Sequence, residues 1–249
     1  MPDAYMPLTP CPTYDHRKAD LVVRANSQPR LDRYASYEAL WLADAVIRSF
    51  TRPVKDMAKE QKASMKAFGG IRSELVEKLN ETDAACAMAP MMLEMAYKFN
   101  ELFFFGELSE RMSFVWEKEL REPDTRRLGV RFSYYMFEGE YWIHHFEMHR
   151  IRESELRSSS LAAERLGTLL RLMLWAFMDE YICRGCKTEF PNNHRYGWCF
   201  QKVARAIEEN AERLLGTTVN LSRLEGLLES VRNDNNRPSM HALREFGFM

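Results

Sequence analysis

Ala162–Ile182 reads AAERLGTLLRLMLWAFMDEYI. Laid on a helix of 3.6 residues per turn it is apolar almost all the way round, and a helix without a polar face has to be surrounded by other elements. The rest of the chain must therefore wrap this segment. It has the material to do so: 249 residues, 46% of them hydrophobic, with fifteen methionines and fifteen phenylalanines for an adaptable, aromatic-rich core. No apolar run approaches the roughly 20 residues of a spanning helix, so a membrane partner is not expected.

The other elements follow from periodicity and breakers. Residues 1–30 carry several prolines and no sustained period, and read as a flexible lead-in. Residues 31–89 read as a helical region. Its first helix runs to Phe50 before Pro53, and a second carries Lys55, Lys59, Lys62 and Lys66 on one face as a solvated basic stripe. Gly69-Gly70 is expected to end that helix, with a further short one running to Asn80. Pro90 suits a first helical turn, and Met92, Met95, Ala96, Phe99, Leu102 and Phe103 keep helical spacing up to Gly106. Ser113–Trp116, Gly129–Tyr135 and Tyr141–Phe146 read as short strands, the last two joined in hairpin fashion across Glu138-Gly139. After the buried helix, Lys187–Asn193 reads as a loop and Phe200–Leu215 as an amphipathic helix stopped by Gly216. Residues 217–249 read as a C-terminal helical extension containing a short helix, Leu221–Val231.

This order resembles a SprT-like (Spartan-type) zinc metallopeptidase domain over residues 90–216. FNELFFFGEL at Phe99–Leu108 is similar to that family's opening helix and its exit. Val115-Trp116 resembles the end of its first strand, and Leu128-Gly129 stands where the family has Ala-Gly. Ile143–Glu147 occupies the third strand. Thr168-Leu169-Leu170 matches the lead into His-Glu-x-x-His, and Tyr196-Gly197-Trp198-Cys199-Phe200 is similar to His-Gly-x-x-Phe. The resemblance implies an α+β, zincin-like fold: a helix, a three-stranded meander, the buried former active-site helix and a C-terminal helix, with the N-terminal helical region added.

The departures from the family carry the functional reading. The two zinc-ligand positions on the helix hold Arg171 and Trp175, the third holds Tyr196, and the catalytic base position holds Leu172. A guanidinium offers no lone pair to a metal, and leucine accepts no proton from water. A catalytic zinc needs three protein ligands and an open position. The resemblance therefore implies a pseudo-metallopeptidase without catalytic residues or a resident cofactor. Its work would be to bind a protein partner, with nucleic acid entering by analogy with family members that act on DNA-crosslinked proteins. On the helix alone, Leu, Met and Trp at this spacing read more readily as plain core, and it is the flanking matches on both sides that reverse this.

Two further clusters bear on chemistry. Cys183, Cys186, His194 and Cys199, spaced x2, x7 and x4, form a candidate structural zinc set, against which stands the commoner role of free cysteine as a buried apolar group. A metal-dependent hydrolase built on them, or on the histidine cluster His144, His145 and His149, is the alternative function, and a helical interaction protein outside the family is another. His144, His145 and His149 form the second cluster. Neighbours on a strand face opposite sides, so 144 and 145 do not easily share one metal, and a solvent-facing placement is expected. Asp179-Glu180 reads as a pair for nearby basic residues, with a catalytic carboxylate pair as the alternative that nothing else in the sequence supports. Five cysteines without a regular framework and no secretory signal point to an intracellular setting, nuclear or cytoplasmic.

Overall fold

In a computed structural model the described residues are 24–31, 37–81, 89–108, 112–116, 129–136, 141–148, 160–183, 186, 194–224, 227 and 240–249. They form six α-helices and one three-stranded sheet: α1 (Ala39–Thr51), α2 (Lys59–Asn80), α3 (Ala89–Phe103), β1 (Met112–Trp116), β2 (Gly129–Met136), β3 (Tyr141–Met148), α4 (Leu161–Tyr181), α5 (His194–Leu215) and α6 (Met240–Glu245). The chain is α+β, and the sheet excludes an all-helical module. Among the described residues no helix is long and apolar enough to cross a membrane.

α4 is the axis, as its sequence requires. From Leu161 to Met178 every residue is buried except Arg171 and Trp175. Ser160 caps it, its hydroxyl accepting from the Ala163 amide. Around it one continuous apolar core takes in residues from Leu31 to Leu221, so α1 and α2 share the core of α3 to α5. α1 begins beside the end of α4: the Tyr37 amide donates to the Tyr181 carbonyl (2.8 Å), and the Cys183 amide to the Tyr37 carbonyl (2.9 Å). α5 runs antiparallel to α4. Phe200 near its start meets Trp175 in the later half of α4, while Asn220 just beyond its end donates its amide to the Ala163 carbonyl at 3.0 Å. Gly167 permits that last approach, because a Cβ there would sit 1.8 Å from the Asn220 carbonyl oxygen.

The sheet corrects the expected meander. Its order is β1-β3-β2, with β2 antiparallel to β3 and β1 parallel to β3. β2 and β3 pair from Met136↔Tyr141 at the hairpin end to Gly129↔Met148. β1 lies on the other edge of β3, in the register Met112↔His144, Phe114↔Phe146 and Trp116↔Met148. All six of those side chains are buried, so one sheet face enters the core as alternation demands. Short strands in sequence do not specify their lateral order. Here burial of the same face of β1 and β3 decides it.

Two helix boundaries and one segment expected to be flexible also differ from expectation. α2 runs unbroken through Gly69 and Gly70, because Phe68 and Leu75 on either side are buried in the core and packing outweighs two weak helix formers. α5 starts at His194, so Tyr196–Phe200 is helical. Residues 24–30, expected to belong to a flexible lead-in, and Leu31 after them are held by side chains: Gln28 Nε2 donates to the Glu101 carbonyl at 2.5 Å, and Glu107 Oε1 accepts from the Leu31 amide at 3.1 Å. The expected loop at 187–193 and most of the expected helix at 221–231 lie outside the described residues, as do residues 1–23.

Candidate functional site

The residues that carry the resemblance lie in two places, the exit of α3 and the seam between α4 and α5. The exit is FNELFFFGEL. Asn100, buried on α3, donates through Nδ2 to the Leu108 carbonyl (2.9 Å), and its Oδ1 accepts from the Leu108 amide (3.0 Å). Its own carbonyl accepts from the Gly106 amide at 3.0 Å, and Gly106 turns the chain with φ of +76°. The asparagine and the Gly-x-Leu stop are thus one hydrogen-bonded unit, which explains their spacing physically. The loop reaches α4 as well: the Tyr181 hydroxyl donates to the Glu107 carbonyl at 2.9 Å, and Phe104 and Phe105 pack on Phe177.

On α4, Leu172 is buried, while Arg171 and Trp175 are half-buried. They lie four residues apart, hence one above the other on one helical face, and the same stripe continues to exposed Asp179. This is the side of a nearly all-buried helix that opens to the surface. Trp175 stacks on Phe200 of α5 with ring centroids 4.4 Å apart and planes 9° from parallel. Tyr196 lies one turn before Phe200 on α5. Its side chain falls outside the described residues, so the three ligand positions of the resemblance, Arg171, Trp175 and Tyr196, are placed only in part.

The cysteine set is placed in part. Cys183 and Cys186 follow α4, Cys199 lies on α5, and all three are buried and outside any disulfide. The Cys186 amide donates to Cys183 Sγ at 3.3 Å. Burial, reinforced by the Glu38 carboxylate, pushes the Cys199 thiol well above its ordinary range, which keeps it neutral. His194 is the first residue of α5, with its side chain outside the described residues. Among the described residues no three His, Cys, Asp or Glu side chains stand close enough to hold a metal. Cys199 also lines a narrow apolar crevice with Leu42, Val46, Phe177, Met178 and Val203, where an apolar thiol fits.

The histidine pair corrects the solvent-facing expectation. His144 is buried at 2% exposure, and its Nε2 lies 3.1 Å from Glu180 Oε2, a polar contact between the sheet and the end of α4. His145 points the other way, with Nδ1 2.7 Å from Ser113 Oγ. β3 is the middle strand, so its inward side chains meet the core. Glu180 fulfils the expected pairing, and His149 lies outside the described residues.

Two buried polar groups escaped the sequence reading. Gln61 on α2 accepts from the Ala58 amide and Arg52 Nη2 and donates to the Ser49 and Leu102 carbonyls, tying three helices together. Arg165 on α4 is fully buried and donates through Nη1 to the Leu79 and Glu81 carbonyls at 2.6 and 2.9 Å. The signal for Arg165 was present: a charge within an all-round apolar helix must find partners inside the core. No family model, curated protein or solved structure matches this chain.

Proposed function

We propose that this chain is a SprT-like pseudo-metallopeptidase that binds a protein partner through the Arg171–Trp175–Asp179 stripe of α4. The observation that carries the reading is the exposure pattern of α4. Almost the whole helix is buried, and the stripe that reaches the surface coincides with the positions where the resemblance puts metal ligands. Those positions hold a guanidinium and an indole, groups that recognise peptides by hydrogen bonding and stacking and activate no water. The order helix, three strands, buried helix, helix is compatible with the family, and the reciprocal Asn100–Leu108 pair gives a physical basis to the motif that suggested it. Nucleic acid enters only as part of a protein–DNA target. The net charge of −1 supplies no general attraction to phosphate.

The test uses the full chain and reduced, carboxymethylated casein as an unfolded protein. Binding without cleavage is expected, unchanged by zinc or chelator. Cleavage that chelator abolishes and zinc restores would sink the non-catalytic reading. Arg171→Glu with Trp175→Ala is expected to weaken casein binding about tenfold or more, the loss of two central contacts. Wild-type affinity in that folded variant would sink the role of the stripe.

A further inference from the structure

Where α2 ends, β1 ends and α4 begins, hydrogen-bond donors are buried without a hydrogen-bond partner among the described residues. The guanidinium of Arg165 is fully buried, and only its Nη1 is used, on the Leu79 and Glu81 carbonyls. Among the described residues its Nε and Nη2 have no hydrogen-bond partner. These two N–H groups point the same way from one edge of the guanidinium, and together they are the fork that meets two oxygens of a planar oxyanion. The Arg165 carbon lies 5.7 Å from the centre of the Trp116 ring. The Trp116 indole nitrogen is itself buried and unpartnered, as is the hydroxyl of Thr168, one turn along the same side of α4. No carboxylate among the described residues bonds Arg165, and the neighbouring Glu164 is turned to Asn220 Nδ2 at 2.6 Å.

We infer that this corner is a binding site for an oxyanion, a carboxylate or a phosphate, taken two-pronged by Nε and Nη2 of Arg165. The indole N–H of Trp116 and the hydroxyl of Thr168 supply the further donors. The chemistry selects the ligand class. The guanidinium and the indole N–H are donors only, and the hydroxyl can donate, so a cation or an apolar group would leave the donors unmatched. Among the described residues the hydrogen-bond partners of this buried positive charge are two neutral carbonyls, and a bound anion would provide the opposite charge. The site is separate from the Arg171–Trp175–Asp179 stripe and does not depend on the function proposed for it.

The test compares the melting temperature of the full chain in sodium phosphate, sodium acetate and sodium chloride at matched ionic strength and pH. Phosphate or acetate is expected to raise it by roughly 4 °C over chloride near saturation. Titration calorimetry with each anion then decides between phosphate and carboxylate as the preferred form. Arg165→Lys keeps the charge and removes the fork, and is expected to weaken binding at least tenfold. Trp116→Phe keeps the ring and removes the N–H, Thr168→Val removes the hydroxyl, and each is expected to weaken binding severalfold. The inference is overturned if neither anion exceeds chloride, the result expected if a carboxylate of this chain already fills the fork, or if Arg165→Lys binds as wild type does. Should Arg165→Lys not fold, unchanged affinity in both Trp116→Phe and Thr168→Val overturns it.

Discussion

The indole of Trp175 lies flat on the ring of Phe200, 4.4 Å between centroids and 9° between planes, and this stack joins α4 to the first turns of α5. The tryptophan stands where the resemblance puts a zinc-binding imidazole, and its ring is used for packing. Trp175→Ala is expected to destabilise the protein by about 2–3 kcal/mol, below the range for a fully buried aromatic because one side faces solvent. Trp175→Phe should lose less than half of that. Urea denaturation checks both, and a loss near zero for the alanine variant would mean that the stack is incidental.

Arg171→His with Leu172→Glu writes into α4 half of the motif that the resemblance implies. Trp175 remains on Phe200, so no second imidazole stands one turn away. The variant is expected to bind no stoichiometric zinc by elemental analysis and to cleave no casein, since a catalytic zinc needs three ligands. Stoichiometric zinc that the wild type lacks would show that ligands other than positions 175 and 196 complete the site.

Asn100 holds both backbone groups of Leu108 in a buried setting. Asn100→Ala removes a donor and an acceptor together and strands the Leu108 amide and carbonyl. A loss of about 2–4 kcal/mol is expected, with Asn100→Asp recovering only the bond from the amide. Thermal melting that places the alanine variant within 1 °C of wild type would contradict the staple.

Gly69 and Gly70 lie in mid-helix on α2, and a Cβ at either would meet nothing within 4 Å. Replacing both with alanine is expected to raise stability by about 1–2 kcal/mol through helix propensity alone. A fall in the urea midpoint would show that α2 is broken there after all.

Glu101 carries a carboxyl held above its ordinary range, first by burial and then by the nearby Glu60. The folded protein therefore holds this proton more tightly than the unfolded chain, and the cost of ionising it appears as pH rises out of the carboxylate range. Glu101→Gln should be more stable than wild type at pH 7, by about 0.3 kcal/mol once solvent screening is allowed for. The advantage should disappear as pH falls below the ordinary glutamate range. An advantage that grows on acidification would reverse the sign and refute the assignment.

The sequence by itself determined the axis of this protein. A helix apolar all round from Ala162 to Ile182 has to be central, whatever surrounds it, because desolvation is a local property of its own side chains. The stop at Gly106, the stop at Gly216 and the strand positions were legible for the same kind of reason: each depends on a breaker or a short-range alternation. What only the tertiary structure decided depends on partners far away in the chain. The order β1-β3-β2 replaced the meander because Met112, Phe114 and Trp116 bury the same face as His144, Phe146 and Met148. Unbroken α2 outlasted Gly69-Gly70 because Phe68 and Leu75 are anchored in the core. His144 turned inward to Glu180, and Arg165 kept a buried fork. The partners of a polar side chain, and the face on which a strand pairs, are set by which elements meet, and spacing along the chain does not contain that information.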